Sequence, residues 1–399
     1  MKRLLIIIRR SRLVKNIYKL LFILLGKLPG DSRLVIFESY FGRQYSCNPR
    51  AIYEYMKVHH PEYKLYWSVD KRYLQNFKDK DVEIITRFSF KWLFYMTRAR
   101  YWVTNVRLPL WLPKPKHTKY VQTWHGTPLK KLGVDIDEVH MPGTDTEKYR
   151  QNFTRESAKW DYLISPNSYS TKIFRRAFSF RNKIIESGYP RNDFLYQANN
   201  ERDIEELKKS YNLPLDKRVI LYAPTWRDDQ YYSVGKYRFH LQLDLERMQE
   251  ELGDDYIVIL RMHYLIADRM DVSAFSGFAY DFSNHEDIRE LYLISDLLIT
   301  DYSSVFFDYA NLRRPMIFFV YDIDDYRDRL RGFYFDFEKK APGPLVKTTE
   351  GVINEIKKLE AANFALPDHF EDFYQTFCAW EDGEAAKRVV ETIWGNKYV

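Results

Sequence analysis

The chain has 399 residues, of which 45% are hydrophobic, 29% charged and 17% aromatic, and 62 Lys and Arg outnumber 55 Asp and Glu for a formal net charge of +7. That length exceeds one ordinary core and points to two domains, and the composition excludes a disordered or fibrous chain. The positive balance asks for an anionic partner, and Cys47 and Cys378 form no metal or disulfide pattern, so the sequence reads as belonging to a reducing compartment.

Residues 1–30 carry Lys2, Arg3, Arg9, Arg10, Arg12, Lys15, Lys19 and Lys27 among short apolar runs, with no acid before Asp31. A bilayer span needs roughly 20 apolar residues, and these runs are far shorter. Charges inside the would-be apolar region, with no A-x-A site after it, also exclude a signal peptide. The spacing predicts a basic amphipathic helix on an anionic membrane surface, with Leu20, Leu21, Phe22, Ile23 and Leu24 buried in the interface.

After Pro29-Gly30, short β-rich runs alternate with helical ones. Strands are expected at 33–39, 64–70, 82–86, 101–105, 120–124, 162–166 and 183–188, with helices such as NPRAIYEYMKVHH and SYSTKIFRRAF between them. This alternation predicts an α/β domain over 31–205 with a parallel sheet covered on both faces. A polar helix near 199–217 leads to a second α/β domain over 206–399. Its strands are expected at 218–224, 256–263, 278–283, 297–301 and 316–322, with helices from 347 onwards. Two Rossmann-like domains facing one another place the ligand in the cleft between them.

Reactive residues recur at the carboxyl ends of these strands, where open parallel sheets bind ligands. YVQTW runs into His125, Gly126, Thr127 and Pro128, and KIIESG runs into Arg191 and Asp193. RVILYAP, ending on Pro224, runs into Thr225, Trp226 and Arg227; YIVIL runs into Arg261, Met262 and His263; LLIT runs into Asp301, Ser303 and Ser304. His125 beside Gly126 suits a general base that a ligand can approach closely. Arg261 and His263 suit a diphosphate, as do Ser303 and Ser304 at the start of an expected helix, SSVFFDYANL. Asp308, four residues after Ser304, shares its helical face and is placed either at a ligand hydroxyl or in solvent. No Gly-rich phosphate loop, zinc signature or Cys/His cluster occurs, so neither a metal nor another cofactor is called for. Beyond the first 30 residues the basic residues are dispersed, which argues against nucleic acid as the partner.

Taken together, QTWHGTPLKKLG, SPNSYSTKIFRRAF, ESGYPRNDFL, LYAPTWRDD, LRMHYL and TDYSSVFFDY resemble the CDP-glycerol glycerophosphotransferases of Gram-positive wall teichoic acid synthesis. The likeness runs in order from about residue 33 to the C-terminus. It implies a GT-B-like fold of two Rossmann domains, bound peripherally to the cytoplasmic face of the cell membrane. It also implies transfer of glycerol phosphate from CDP-glycerol to a polyprenyl-linked teichoic acid acceptor, with release of CMP. Other teichoic acid enzymes are further candidate partners. By the same resemblance His125 is the base on the acceptor hydroxyl, and His263 is its catalytic companion at the departing CMP. The donor contacts are His125, Gly126, Thr127, Pro128, Arg191, Pro224, Thr225, Arg261, Met262, His263, Ser303, Ser304 and Asp308. The long extra N-terminal domain of the large polymerases is missing, which aligns the chain with members that add one or a few units. Ribitol-phosphate transferases share these motifs. A nucleotide-sugar glycosyltransferase of the same architecture is the rival enzyme, and a lectin-like membrane-surface module the rival without chemistry.

Overall fold

The first sheet is built from β1 (Asp31–Glu38), β2 (Lys64–Val69), β3 (Ile84–Thr86), β4 (Ala99–Thr104), β5 (Lys119–Gln122), β6 (Tyr162–Ser165) and β7 (Lys183–Glu186). A computed structural model describes residues 12–139, 144–225, 227, 231–233, 236–237, 241–262 and 271–395. The strand order is β3-β2-β1-β4-β5-β6-β7 and every neighbouring pair is parallel. The second half contributes β8 (Arg218–Tyr222), β9 (Tyr231–Ser233), β10 (Lys236–Tyr237), β11 (Tyr256–Leu260), β12 (Ala279–Asp281), β13 (Leu297–Thr300), β14 (Met316–Phe319) and β15 (Leu345–Val346). Six of these form a second parallel sheet, β12-β11-β8-β13-β14-β15, and β9 and β10 pair as a short antiparallel ribbon. All twelve expected strands are present. The additions β9, β10 and β15 are two or three residues long, too short to carry a periodic signal.

Parallel sheets form where both faces can be covered, so their strands are continuously apolar. LLIT in β13 and MIFF in β14 are buried at every position. Each sheet is sandwiched between two apolar clusters. The helix Ala385–Trp394 belongs to the second half in sequence, yet Val389, Val390, Ile393 and Trp394 pack in the first sheet's core beside Val35, Val103 and Ile164.

The topology fixes where a ligand can sit. In the first sheet the chain runs outward from β1 to β3, then returns to add β4 on the other side of β1. In the second it runs from β8 through β11 to β12, then returns to β13 on the other side of β8. The carboxyl ends of β1 and β4, and of β8 and β13, therefore flank the crevices at which doubly wound sheets bind ligands.

The N-terminal helix Arg12–Leu25 corrects one expectation. Phe22 is only 1% exposed and packs against Trp92 and Trp102 at ring separations of 6.3 and 6.2 Å, so it is closed off from any lipid. Tyr18 joins it against Trp92 and Trp111. Leu20, Leu21, Ile23 and Leu24 remain exposed, together with Ile17 and Leu28. A two-sided apolar helix is the physical reason: one stripe docks on the protein and the other is left over. Residues 1–11, with the first four cations, lie outside the described residues.

The two stripes separate by mutation. Phe22→Ala removes a buried ring and is expected to destabilise the protein by about 3–5 kcal/mol in urea unfolding. Leu20→Ala on the outward stripe is expected to change stability by roughly 0.5 kcal/mol or less.

Candidate active site

The strand ends enclose two adjoining cavities of about 260 and 220 Å³, with His125, Pro224, Ser303 and Ser304 in the walls of both. The first adds Arg191, Arg261, Met262 and Asp308, and the second adds Gly126, Thr127, Pro128 and Thr225. The structure thus gathers the expected donor contacts it describes, whereas Asp193, Arg227 and Asp301 line neither cavity. His263 and Trp226 lie outside the described residues.

His125 is held by its neighbours rather than by its own strand. Trp124 before it has φ +52°, and its N–H is fixed by the Gln122 side chain at 3.0 Å. Asn48 donates to the carbonyls of Thr123 and Trp124 at 3.3 and 3.1 Å. The ring nitrogen Nδ1 lies 2.6 Å from the Asn105 carbonyl. A carbonyl only accepts, so Nδ1 carries the hydrogen and Nε2 keeps a free lone pair. Burial in the cleft, reinforced by the charges of Arg191 and Arg107, lowers the pKa to about 4 against the opposing Asn105 bond. The imidazole is therefore neutral at pH 7. Gly126 faces the opposite wall, where a Cβ would lie 2.7 Å from the Ser304 hydroxyl. Glycine here sets how closely the two halves approach, as well as how closely a ligand does.

Arg191 and Asp308 meet one another across the cleft. The guanidinium contacts the carboxylate at 2.8, 2.9 and 3.1 Å, and both side chains are nearly inaccessible. Arg191 also reaches the Cys47 sulfur at 3.4 Å. Asn192 touches Asp308 at 3.3 Å and donates to Glu381 at 3.0 Å, and burial pushes the Glu381 carboxyl up to about 8. Asp308 thus faces the cavity while holding Arg191, which the helical-face argument did not foresee.

The other strand ends divide between bracing and availability. Asp301 accepts from the Thr225 N–H and from Arg227 at 2.9 Å each, so it ties the loop after β8 to β13 and caps no helix. The helix after it spans only Val305–Tyr309 before tightening into a 3₁₀ turn, and Ser304 precedes it without a side-chain cap bond. Among the described residues the Ser303 and Ser304 hydroxyls have no hydrogen-bond partner, and buried Thr225 Oγ1 has none either. Arg261 bonds only to the carbonyls of Phe282 and Ser283, with no carboxylate partner among the described residues. Burial lowers its pKa, against the opposing charges of Asp281 and Asp287 nearby. The Met262 N–H is fixed by Ser283 Oγ at 3.1 Å. Arg289 pairs with Asp287, which also accepts from Arg50 at 2.8 Å. Among the described residues no cluster of three or more His, Cys, Asp or Glu could hold a metal ion.

Residues 20–395 match the family described as CDP-Glycerol:Poly(glycerophosphate) glycerophosphotransferase. The chain belongs to that family. It is 62% identical over 384 residues to a teichoic acid poly(glycerol phosphate) polymerase of Bacillus subtilis, covering 96% of this chain and 52% of that one. It is 56% identical over 392 residues to a poly(glycerol phosphate) polymerase of Bacillus spizizenii, covering 98% and 99%. The chain therefore spans about half the length of the first relative and nearly all of the second. Its structure resembles that of a variant of the wall teichoic acid polymerase TagF soaked with CDPG, with a TM-score of 0.87 and 44% identity over 97% of this chain and 94% of that one. The fold is that GT-B arrangement of two parallel sheets. Length does not set this chain apart from polymerases, because the Bacillus spizizenii relative is a polymerase matched over 99% of its length. The expectation drawn from the missing N-terminal domain loses its basis there.

Sequence reasoning missed Asn105, which orients His125 from the end of β4. It stood at the end of YWVTN, and the strand-end argument applied to that strand would have found it. It also missed the contacts across the cleft, Arg50–Asp287 and the Glu286 carboxylate on the Tyr45 N–H at 2.8 Å, which local pattern does not encode.

Removing one partner of a buried pair strands the other charge. Asp308→Ala is expected to cost about 3–5 kcal/mol of stability in denaturant unfolding. Asp308→Asn, which keeps acceptor oxygen beside Arg191, is expected to lose less.

Proposed function

We propose that the chain transfers glycerol phosphate from CDP-glycerol to a hydroxyl of a polyprenyl-diphosphate-linked teichoic acid precursor, releasing CMP. One observation carries this reading: a neutral His125 lies in the walls of both cavities, beside Ser303 and Ser304, whose hydroxyls have no partner among the described residues. A diphosphate in the first cavity meets Arg261, which hydrogen-bonds to no carboxylate among the described residues, and the hydroxyls of Ser303 and Ser304. Arg191, Pro224, Met262 and Asp308 complete that wall, and Gly126, Thr127, Pro128 and Thr225 line the continuation toward the acceptor.

In the step proposed, the acceptor oxygen attacks the glycerol-bearing phosphorus and its proton passes to His125 Nε2. A new P–O bond forms as the bond to CMP breaks, and the electron pair leaves on the CMP phosphate. Arg261 and the serine hydroxyls offset the charge that gathers there, with His263 two residues from Arg261 in sequence. Positioning and fixed charge supply most of the acceleration, as in phosphoryl transfer generally. Membership of the family supports glycerol phosphate as the transferred group.

The test is the mass of the product formed from CDP-glycerol and a defined lipid-linked acceptor, with CMP counted alongside. His125→Ala is expected to lower turnover by about 10²–10⁴ with donor affinity kept. The base acts unprotonated, so kcat/KM rises with pH through the His125 pKa. With that pKa near 4, kcat/KM is expected to stay level from neutral pH down to mildly acid conditions and to fall only as pH approaches 4. An acid limb at the ordinary histidine value of about 6.5 would remove His125 from this role.

The same reading puts the chain at the cytoplasmic face of the membrane, held peripherally. No described helix is long and apolar enough to cross a bilayer. The helix Arg12–Leu25 packs through Tyr18 and Phe22 on Trp92 of the helix Phe90–Arg98, so its outward stripe stays exposed beside a helix that exposes Phe94 and leaves Phe90 82% accessible. Arg87 and Arg98 sit over the rings of Phe88 and Phe94. Arg87 is paired with buried Glu38, which leaves Arg98 beside the exposed apolar side chains, and a cation near the surface adds about 1 kcal/mol of attraction to anionic lipid. Leu20→Glu with Leu24→Glu and Phe90→Glu is expected to abolish salt-sensitive co-sedimentation with anionic vesicles. Turnover on a short soluble acceptor should persist, because none of the three touches the cleft.

A further inference from the structure

One short loop joins His125 to the helix Arg12–Leu25, which the reading above turns toward the membrane. It leaves β4 at Asn105, whose carbonyl holds His125, and reaches Trp111, which packs 5.9 Å from Tyr18 of the helix Arg12–Leu25. Between them stands Arg107. Its guanidinium lies 4.4 Å from the ring centre of Phe153 and 5.6 Å from that of Tyr149. Phe153 in turn packs against Trp124, the residue before His125. Among the described residues Arg107 makes no hydrogen bond and no ion pair. The nearby Glu156 is engaged elsewhere, with Lys159, Tyr120 and the Leu108 N–H.

An arginine propped on aromatic rings without a carboxylate keeps its planar fork free for an incoming oxyanion. Its place strengthens this, because the end of β4 beside β1 is where the first sheet reverses its winding. Its charge is felt at His125, whose pKa it helps to lower. The donor diphosphate already has Arg261 in the second half. Arg107 belongs to the first half, and its shelf of Phe153 and Trp124 backs onto the second cavity.

We infer that Arg107 grips the phosphodiester of the acceptor's last glycerol-phosphate unit and so positions the terminal hydroxyl at His125. This rests on the glycerol-phosphate transfer proposed above. Arg107 does no bond chemistry. It is a positioning residue that makes the enzyme select a hydroxyl with a phosphate one glycerol away.

Two measurements keep the inference separate from that reading. The first is direct: calorimetric binding of a short glycerol-phosphate oligomer, without donor, to the full chain and to Arg107→Ala and Arg107→Lys. The Ala variant is expected to bind about 10- to 100-fold more weakly and the Lys variant, which keeps the charge without the fork, to recover only part of the affinity, while CDP-glycerol binding stays within twofold. This outcome does not depend on turnover, so a chain that failed to use CDP-glycerol would still give an answer about Arg107. The second is kinetic, with the acceptor's last linkage as a phosphodiester or as an uncharged methylphosphonate, each on a lipid diphosphate or on a neutral anchor. Arg107→Ala is expected to raise acceptor KM about 10- to 100-fold for the phosphodiester and to leave KM unchanged for the methylphosphonate, on either anchor. Equal losses with both linkages, a loss that follows the lipid diphosphate instead, or weakened CDP-glycerol binding would each overturn the assignment.

Discussion

The buried pairing of Arg191 with Asp308 is the constraint from which the rest of the cleft follows. Each charge has been taken from water, and each is tolerable only because the other lies within 3 Å. One partner follows the last strand of the first sheet and the other sits just past β13 of the second, so the pair fixes the separation of the two halves. Gly126 can then lie against Ser304, and His125 can occupy the walls of both cavities. Asn192 extends the bracing to Glu381, behind the cleft.

The cleft's cations sort by whether an acid answers them. Arg191, Arg289 and Arg50 are matched by Asp308 and Asp287, and their task is to hold the wall. Among the described residues Arg261 hydrogen-bonds only to carbonyls and Arg107 rests only on aromatic rings, with acids nearby but none bonded to either. A guanidinium with no bonded carboxylate beside a neutral histidine is an arrangement that suits an incoming anion. The matched cations therefore give the site its shape, and the unmatched ones give it its substrate.

Much of this was legible in the sequence, for identifiable reasons. The first-half strands were readable because parallel strands are continuously apolar and break at turn residues, and each expected span overlaps an observed strand. His125, Arg261, Ser303 and Ser304 were readable because strand ends in such sheets are where ligands bind. What escaped reading was partnership. Arg191 and Asp308 lie 117 positions apart, and nothing local to either says that each is the other's counter-ion. Phe22 escaped for a related reason: a helix with apolar residues on both sides does not announce which side the protein keeps. The helix expected to run on from Ser303 stops at Tyr309, because a 3₁₀ turn at Ala310–Leu312 and a left-handed Arg313 end it before β14.

The placement of the helix Ala385–Trp394 bears on how the protein is made. Its side chains close one face of the first sheet, around Val35, Val103 and Ile164, yet it leaves the ribosome long after those strands do. Throughout synthesis of the second half, that face waits with its apolar surface unsealed. The first half therefore cannot reach its final stability as an independent early unit, and its maturation is tied to the completion of the second. A nascent chain halted before residue 385 would present a nearly finished sheet with one side open, the kind of surface on which chaperones act and aggregation begins.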